Sequence, residues 1–430
     1  MKSSKFNYFI PHKGKYIFFN GMSKRFFFVS EKNYATFLDV VSHPDTNNYA
    51  QKYAPFLERM KREGFVLDKD TDEMELLRKK FEVLRYDDLY MLMILPTYKC
   101  NLSCWYCIQK HQDITLTDEI KERIKCHIKT YLLENDIKRF RLSWFGGEPL
   151  IAYKHLVDIT SYAREFCKKH KIEFFCDITT NGILLTSERI VELRDLGIGM
   201  FQITIDGCRE KHNEVKHLKN DSAFDKTIGN VLEIVKTIPD VYCVLRINYA
   251  QNTLEPQKIV EDLNGLIPLE YRKRITISPN RIWQLEINAI PLDLVSKMNQ
   301  LLSDNHYRIE VAESNKCYVD FKHYNTIFPN GYVDKCEDEK LEGLKGVLTK
   351  SGNIEWNDTH PFEIHQALSE NSECTECKHI AFCTGPCPKR RNDMIEKRKR
   401  IICQIPEKYD RDRMIQQFII HYCESVTYNS

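Results

Sequence analysis

The sequence predicts an α/β protein in which parallel strands alternate with helical crossovers. Between residues 90 and 280, six short apolar runs alternate with helical stretches whose apolar residues are spaced by three and four. This alternation favours a barrel, whole or partial, or a doubly wound sheet, because parallel strands require crossover connections. In both architectures the chemistry lies at the carboxyl ends of the strands. The runs are Met91 to Pro96, Phe140 to Phe145, Ile172 to Thr179, Met200 to Ile205, Val241 to Asn248 and Arg274 to Ser278.

Composition predicts several compact units and limits the partners. A chain of 430 residues is long enough for about three domains. Its 63 basic and 61 acidic side chains nearly cancel, so charge gives no argument for a nucleic-acid or membrane partner. The start lacks the apolar stretch of a secretory signal, and no apolar run is long enough for a membrane span. We therefore expect a cytoplasmic protein with reduced thiols, bound neither to nucleic acid nor to a membrane.

The first 88 residues contain no cysteine, whereas all 16 cysteines lie between Cys100 and Cys423. Three aromatic runs separated by turn sequences predict a small three-stranded antiparallel sheet. These runs are residues 8–10, 16–19 and 25–29. Three helices should follow before residue 88. The order of strands first and helices after predicts a separate small α+β domain over residues 1–88.

Three cysteines lie within eight residues just after the first strand of the alternating part: Cys100, Cys104 and Cys107. Three thiolates cannot close a tetrahedral site on a single ion without a fourth ligand. An iron-sulfur cluster tolerates that gap, because one iron can bind an exogenous ligand. A zinc site completed by His111 is the alternative.

The spacing C-x3-C-x2-C, with the aromatic Tyr106 before the third cysteine, closely resembles the radical S-adenosylmethionine (SAM) superfamily. In that family the three cysteines hold a 4Fe-4S cluster whose open iron binds SAM. One electron from the reduced cluster cleaves SAM to methionine and a 5′-deoxyadenosyl radical, which abstracts hydrogen from carbon. The resemblance implies an enzyme with Cys100, Cys104 and Cys107 as cluster ligands. It also implies a partial (β/α)6 barrel of the TIM type over residues 89–300.

Later strand ends resemble the SAM-binding elements of the family in the expected order. A Gly-Gly-Glu-Pro stretch resembles the segment that binds the SAM amino group, and a Thr-Thr-Asn-Gly stretch resembles the ribose contact. Threonine then replaces the family's serine that holds the SAM carboxylate, and an arginine on the next strand could reach a carboxylate. Each stretch alone is an ordinary turn or surface group, but their order behind the cysteines is specific. The implied cofactor-binding residues are Tyr106, Gly146, Gly147, Glu148, Asn181, Thr204 and Arg246.

Seven further cysteines lie between residues 317 and 403. A run of spacing C-x2-C-x5-C-x3-C suits a zinc ribbon and an iron-sulfur site equally well. The complete order resembles the SPASM domain that follows the barrel in some radical SAM enzymes, here over residues 301–430. The resemblance implies two auxiliary 4Fe-4S clusters. Their implied ligands are Cys374, Cys377, Cys383 and Cys403 for the second cluster, and Cys317, Cys336 and Cys387 for the first.

The first auxiliary cluster would be one cysteine short. Some family members carry a fourth cysteine where this chain has Val311, so we expect an open or substrate-ligated iron. Glu313 or Cys423 are the alternative ligands. Glu337, directly after Cys336, resembles the aspartate that acts as a base in sulfatase maturases, but it is one methylene longer. A solvated surface acid is the simpler interpretation of Glu337.

Together these features predict a radical SAM enzyme that modifies a ribosomally synthesised peptide, for example by a thioether or carbon-carbon cross-link. The N-terminal part weakly resembles winged-helix domains that recognise leader peptides, so a precursor peptide or protein is the expected substrate. Seven bases between residues 389 and 400 suit docking of an acidic electron carrier or an acidic leader peptide, although a solvated helical face is the simpler interpretation. The expected electron donor is of the ferredoxin or flavodoxin type. The alternatives are an anaerobic sulfatase-maturing enzyme that forms formylglycine and a non-catalytic zinc-binding adaptor.

Overall fold

The structure is a computed structural model. It describes residues 1–46, 52–85, 88–109, 111–218, 222–250, 253–282, 292–310, 317–338, 345–357, 368, 372–403 and 408–429. The chain divides into two compact units. The first unit comprises residues 1–86, 311–321 and 362–427, and the second comprises residues 87–310, 322–361 and 428–430. Both units are therefore discontinuous in sequence.

Strands and helices follow one another along the chain, and each described helix is too short or too polar to span a membrane. The elements are β1 (Lys2–Ser3), β2 (Asn7–His12), β3 (Lys15–Asn20), β4 (Phe26–Ser30), α1 (Glu31–Ser42), α2 (Ala54–Arg62), β5 (Val66–Leu67), α3 (Glu73–Arg85), β6 (Leu89–Ile94), α4 (Asp118–Glu134), β7 (Arg139–Trp144), α5 (Tyr153–His170), β8 (Glu173–Thr180), α6 (Ser187–Asp195), β9 (Ile198–Ile205), α7 (Arg209–Lys216), α8 (Ala223–Thr237), β10 (Tyr242–Tyr249), α9 (Pro256–Leu266), α10 (Leu269–Arg272), β11 (Ile275–Arg281), α11 (Leu292–Asp304), β12 (Arg308–Ile309), β13 (Tyr324–Ile327), β14 (Tyr332–Asp334), β15 (Lys345–Leu348), β16 (Ile354–Trp356), α12 (Ile380–Cys383), α13 (Pro388–Glu396) and α14 (Lys408–Asn429).

The second unit is built around strands that follow one another in the sheet as they do in the chain. Strands β6 to β12 are parallel neighbours in consecutive order. Side chains within them are buried, as Leu92, Leu142 and Ile178 show with 0% exposure. Strand β6 is buried on both faces and forms a continuous apolar run, whereas β7 and β9 alternate between buried and more exposed residues. The predicted α/β class with a mostly parallel sheet is confirmed.

All six predicted strands are present, with bounds that differ by at most three residues from those predicted. The differences arise at strand ends: β6 and β7 end before their apolar runs do, whereas β8, β10 and β11 continue past theirs. Leu95, for example, is completely buried just beyond the end of β6. Apolar patterning therefore locates these strands but does not define their last residues.

Strands β13 to β16 extend the same sheet beyond β6, which the sequence pattern did not predict. Strand β13 pairs parallel with β6, and β14, β15 and β16 add successive antiparallel neighbours. Strand β13 covers the edge of β6, whose backbone groups would otherwise lack partners on that side. Residues 322–361 therefore belong to the unit that contains the parallel strands.

A buried network of hydrogen bonds connects strands β13 to β16 with the parallel strands of the sheet. His127 in α4 lies 2.7 Å from the Gly352 carbonyl through Nδ1 and 2.7 Å from the Tyr90 hydroxyl through Nε2. Because a carbonyl only accepts, this network assigns the proton to Nδ1, and Nε2 accepts from Tyr90. Asn325 Nδ2 donates to the same hydroxyl at 3.1 Å. The network joins α4, β6, β13 and the turn before β16 through a neutral histidine.

We expect the stability of the protein to fall as the pH decreases from about 6.5 towards 4. Burial lowers the pKa of His127 from 6.5 to about 4, so the unfolded chain takes up a proton that the folded chain rejects. The stabilisation is complete above pH 6.5, and about 3 kcal/mol of it is lost by pH 4. Denaturant unfolding of the wild type and of His127→Gln across this range measures the effect. Equal pH dependence in the two proteins would contradict it.

The first unit contains the predicted three-stranded antiparallel sheet, in the order β2-β3-β4. Its apolar core joins the N-terminal and C-terminal parts of the chain. One cluster contains Phe6, Leu77, Phe81, Leu368, Cys374, Ile380 and Ala381. A second contains Tyr8, Ile10, Ile17, Phe19, Phe382, Ile415, Ile419 and Cys423. Residues 1–86 therefore share their core with the cysteine-rich part, and the functional division into segments 1–88, 89–300 and 301–430 stays a prediction.

A buried ion pair fixes α13 within the first unit. Arg391 contacts Asp320, and the two side chains are 1% and 6% exposed. Lys389 is also buried. Two of the seven bases between residues 389 and 400 are therefore internal, and only the others can form a solvated face.

Candidate active site

The cysteine triad, Cys100, Cys104 and Cys107, lies on the segment that follows β6. The three residues are half-buried, and the Cys107 backbone N–H donates to the Cys104 carbonyl at 3.1 Å. Burial raises the pKa of the Cys100 thiol to about 11, and Glu148 and the two neighbouring thiols add to this rise. A positively charged metal centre would favour the thiolate form of such a group.

Two glycines bring the loop after β7 against the triad segment. Gly147 N donates to the Thr97 carbonyl at 3.0 Å, and Glu148 N donates to the Lys99 carbonyl at 2.8 Å. A Cβ atom on Gly147 would lie 2.1 Å from the Lys99 carbonyl oxygen, and one on Gly146 would lie 2.8 Å from that of Thr97. Glycine is therefore required at both positions, because a side chain would prevent the two backbone segments from lying so close together. The predicted role of these glycines in binding SAM is a separate question.

Replacing Gly147 with alanine is expected to push the two loops apart. The new Cβ would overlap the Lys99 backbone, so we expect a loss of about 1–3 kcal/mol of unfolding free energy, as for other overpacked sites, together with lower iron content. Gly265→Ala in α9 is the control, because a Cβ atom there meets no heavy atom within 4 Å. Thermal unfolding and iron analysis measure both variants. Equal stability of Gly147→Ala and the control would show that the contact is not tight.

Glu148 connects the ends of β7 and β8. It is 0% exposed and accepts hydrogen bonds from Thr180 Oγ1 at 2.7 Å, Asn181 N at 2.9 Å and Leu150 N at 3.1 Å. Burial raises the pKa of its carboxyl group. Both carboxylate oxygens are engaged with this protein's own groups, and the predicted contact of Glu148 with the SAM amino group stays a prediction.

Two polar side chains reach the thiols from other segments. Asn181 Nδ2 lies 3.9 Å from Cys100 Sγ and donates to Asn101 Oδ1 at 2.8 Å. Lys216 Nζ lies 3.4 Å from Cys104 Sγ. Hydrogen bonds and positive charge near the sulfurs stabilise an anionic iron-sulfur centre and tune its reduction potential. The donor set of the triad therefore fits such a cluster.

Lys216 was not predicted from the sequence pattern. Its side chain is 3% exposed and lies 3.1 Å from Asp206 Oδ2, whose side chain is 1% exposed. Burial opposes the charge on Asp206, but Lys216 and then His212 outweigh it and hold the pKa of Asp206 at about 2. His212 and Lys216 lie one turn apart on α7, directly after β9. This i, i+4 pair of basic side chains behind a strand end was the available signal.

Tyr106 links the triad segment to β9 and β10. Its hydroxyl donates to Asp206 Oδ1 and accepts from Asn248 Nδ2 at 3.1 Å. Arg246 Nε donates to Asn248 Oδ1 at 2.9 Å. A continuous chain of hydrogen bonds thus runs from Arg246 to Asp206, across the strand ends where the sequence predicts SAM contacts.

Thr204 and Glu337 lie near Arg246. Thr204 in β9 is the register partner of Arg246 in β10. Burial lowers the pKa of Arg246, and Glu310, Tyr106 and Glu337 oppose this shift through their charges. The Glu337 carbonyl accepts from Gln109 Nε2 at 3.3 Å. The candidate base therefore lies within electrostatic reach of the predicted SAM-binding residues, and its role as a base stays a prediction.

The second cysteine group, which we name the quartet, comprises Cys374, Cys377, Cys383 and Cys403. All four belong to the first unit, and their thiols interact electrostatically with one another. Burial raises the pKa of Cys383 to about 11, and the other three thiols add to the rise. The predicted ligand set of the second auxiliary cluster is thus brought together. In the described part of the chain, no three His, Cys, Asp or Glu side chains converge on a position for a single metal ion.

The predicted ligands of the first auxiliary cluster are distributed over both units. Cys317 and Cys387 belong to the first unit and Cys336 to the second. Cys387 directly precedes α13, which the ion pair of Arg391 holds. Val311 and Glu313, named for the missing ligand, lie outside the described residues. The composition of this cluster stays a prediction.

Comparison with known proteins identifies the parallel part of the second unit. Residues 94–280 match the sequence model of the Radical SAM superfamily. This range contains the triad and every strand end discussed above. The chain therefore matches the radical SAM superfamily over this part of its length. His111 Nε2, named for the alternative zinc site, lies 3.4 Å from Cys107 Sγ, and the cluster role of the triad stays a prediction.

Curated relatives match parts of the chain. A GTP 3′,8-cyclase of Clostridium perfringens is 29% identical over 233 residues, which are 50% of this chain and 64% of the cyclase. A PqqA peptide cyclase of Bradyrhizobium diazoefficiens is 31% identical over 115 residues, which are 26% of this chain and 28% of the cyclase. The chain thus spans less than two thirds of the length of these relatives.

Solved structures with a similar fold cover more of the chain. The structure of anSMEcpe with bound AdoMet has a TM-score of 0.54 and 17% identity and covers 79% of this chain and 96% of its own. Streptococcus suis SuiB bound to S-adenosylmethionine has a TM-score of 0.51 and 16% identity and covers 94% of this chain and 100% of its own. At these identities the similarity shows the fold.

Proposed function

We propose that this protein reductively cleaves SAM at a 4Fe-4S cluster on Cys100, Cys104 and Cys107 and modifies a ribosomally synthesised peptide. The observation that carries this proposal is the triad at the end of β6, with Asn181 and Lys216 directed at its sulfurs, inside the matched family range. When bound, the cluster supplies the electron that SAM cleavage requires. The surrounding residues orient the triad and exclude water from its buried side.

Five other residues would bind SAM along the strand ends. Gly146 and Gly147, which let the loop after β7 approach the triad segment, would bind SAM through their backbone groups, and Asn181 would contact the ribose. Thr204 and Arg246, paired across β9 and β10, would hold the SAM carboxylate. Lys216 adds a second buried cation on the same side.

A peptide substrate is supported by the extent of the structural similarity. SuiB has been solved with the precursor peptide SuiA at a TM-score of 0.51, covering 94% of this chain. The anSMEcpe structure with AdoMet and the Kp18Cys peptide covers 79%. The GTP 3′,8-cyclase match covers only 50%, so GTP is the less favoured substrate. The sheet β2-β3-β4 offers edge strands for a leader peptide.

Auxiliary clusters and an external electron donor complete the proposal. The quartet would hold one auxiliary 4Fe-4S cluster, and Cys317, Cys336 and Cys387 would contribute to another. Glu337 is the candidate base. A ferredoxin- or flavodoxin-type donor would reduce the enzyme in a reducing cytoplasm, where cysteine side chains would not be oxidised to disulfides.

The decisive experiment starts from protein purified without oxygen. Three clusters predict about twelve irons per chain, and dithionite with SAM should yield 5′-deoxyadenosine. Mass spectrometry of a co-expressed precursor peptide should show loss of hydrogen through a cross-link. GTP and a sulfatase peptide serve as competing substrates, because their conversion would indicate a nucleotide cyclase or a formylglycine-forming enzyme. A colourless, iron-free protein that binds zinc would reject the proposal.

A further inference from the structure

We infer that Tyr8, in the N-terminal sheet, is a positioning residue for the quartet near the other end of the chain. The inference rests on the proposed role of the quartet as cluster ligands. It gives the N-terminal segment a function other than peptide recognition. Tyr8 and the quartet belong to the same compact unit.

Tyr8 lies against the turn between two cysteines of the quartet. Its hydroxyl lies 3.1 Å from the Lys378 carbonyl and 2.9 Å from His379 Nδ1. Its ring stacks on the imidazole of His379, with 5.7 Å between the ring centroids. Tyr8 is only 4% exposed. A strand from the beginning of the chain thus fixes two consecutive residues of the cysteine-rich turn.

His379 organises that turn. Its carbonyl accepts from Cys383 N at 2.7 Å and from Phe382 N at 3.0 Å. The Ile380 N–H donates to the Cys377 carbonyl at 3.2 Å. The backbone of His379 therefore sets the position of Cys383 relative to Cys377, and any movement of His379 would move one thiol against the other.

Asp412 holds the imidazole from the opposite side. Its Oδ1 atom lies 2.5 Å from His379 Nε2. With both ring nitrogens engaged, the imidazole of His379 is fixed in orientation. A continuous network therefore runs from Tyr8 in β2 through His379 to Asp412 in α14. Groups that orient metal ligands in this way typically change metal affinity about 10–100-fold when they are removed.

Apolar packing around Tyr8 supports the same turn. Phe19 packs edge-on against Phe382, with 5.5 Å between their ring centroids, and Tyr8 shares this cluster. Phe6 packs in a second cluster with Cys374. Side chains from the start of the chain therefore pack in the same apolar clusters as Cys374 and Phe382, on two of the segments that carry the quartet.

Tyr8→Phe tests the inference, because it removes one hydroxyl and keeps the ring. The variant is made in full-length protein that also carries Cys100→Ala, Cys104→Ala and Cys107→Ala, so that iron-sulfur signals come from the C-terminal cysteines. Iron release is followed over time in this protein and in the same protein with Cys383→Ala. The kinetic phase that is missing in the Cys383→Ala protein is assigned to the quartet. Tyr34→Phe is the matched control, since Tyr34 stacks on Tyr16 in a different apolar cluster of the same unit.

We expect Tyr8→Phe to release iron from the quartet to a ferrous chelator about 10-fold faster than the parent protein. Its electron paramagnetic resonance spectrum should also change, while Tyr34→Phe stays like the parent. Asp412→Asn should shift release in the same direction. Release and spectrum unchanged in Tyr8→Phe would overturn the positioning role. If the parent triple variant holds no iron-sulfur cluster at all, the cluster assignment of the quartet fails, and the inference fails with it.

Discussion

Replacing Cys104 with alanine is expected to abolish formation of 5′-deoxyadenosine from SAM. Only two thiolates of the triad would remain, and the cluster would lose both a ligand and the sulfur that Lys216 Nζ approaches at 3.4 Å. Iron content should fall by about four per chain, the content of one 4Fe-4S cluster. Chromatography of the nucleoside product and iron analysis on protein purified without oxygen measure the two effects.

Cys126→Ala is the matched control for this experiment. Cys126 lies in α4, outside both cysteine groups, and its thiol donates to the Ser351 carbonyl at 3.1 Å. This variant should keep the iron and the product yield of the wild type. Undiminished product from Cys104→Ala, or equal loss from Cys126→Ala, would remove the triad from the proposed chemistry.

Lys216→Met is expected to lower the free energy of unfolding by about 3–5 kcal/mol. The substitution removes one partner of a buried ion pair and leaves the Asp206 carboxylate without its cation, which costs about that much in other proteins. Asp206 also accepts a hydrogen bond from Tyr106, which lies on the triad segment. Movement of the unpaired Asp206 carboxylate should therefore also disturb the position of that segment. Denaturant unfolding gives the energy, and the absorbance of the bound cluster reports the site.

A double-mutant cycle separates charge from packing. Asp206→Asn combined with Lys216→Met removes both charges, so it should be less destabilised than the sum of the two single variants. Lys216→Arg keeps the cation and should lose less stability than Lys216→Met. Strict additivity of the single effects would show that the pair does not interact.

The parallel strands and the position of the cysteine triad could be predicted from short stretches of sequence. The triad at Cys100, Cys104 and Cys107 follows a strand that is buried on both faces, and such strands are visible as apolar runs. The positions of the strand ends then follow from the parallel order of β6 to β12. Asn181 and Arg246 could be named because they lie at strand ends whose sequences resemble the SAM-binding elements of the radical SAM superfamily.

Contacts that depend on the folded chain were not predictable. Glu148 accepts hydrogen bonds from Thr180 and Asn181 at the end of the neighbouring strand, and a single sequence does not show that proximity. Lys216 lies at the end of a polar helix, where most lysines are solvated. Its burial depends on Asp206, ten residues earlier, and on Tyr106.

The pairing of β13 with β6 and the packing of Tyr8 on His379 join residues that are more than two hundred positions apart. Apolar periodicity identifies a buried face but does not identify what covers it. The sequence therefore could not show that residues 1–86 share a compact unit with residues 311–321 and 362–427, and the functional division at residue 88 stays a prediction.

The discontinuous first unit has a consequence for biosynthesis. Its N-terminal aromatic strands are synthesised before their partners Phe382, Ile415 and Ile419, which follow about 350 to 390 residues later. At about 5–20 residues per second this delay lasts roughly 20–80 s. During that time a sheet rich in phenylalanine has an incomplete core. Chaperone supply and the rate of translation should therefore govern the yield of folded protein, and fragments truncated before residue 420 should aggregate.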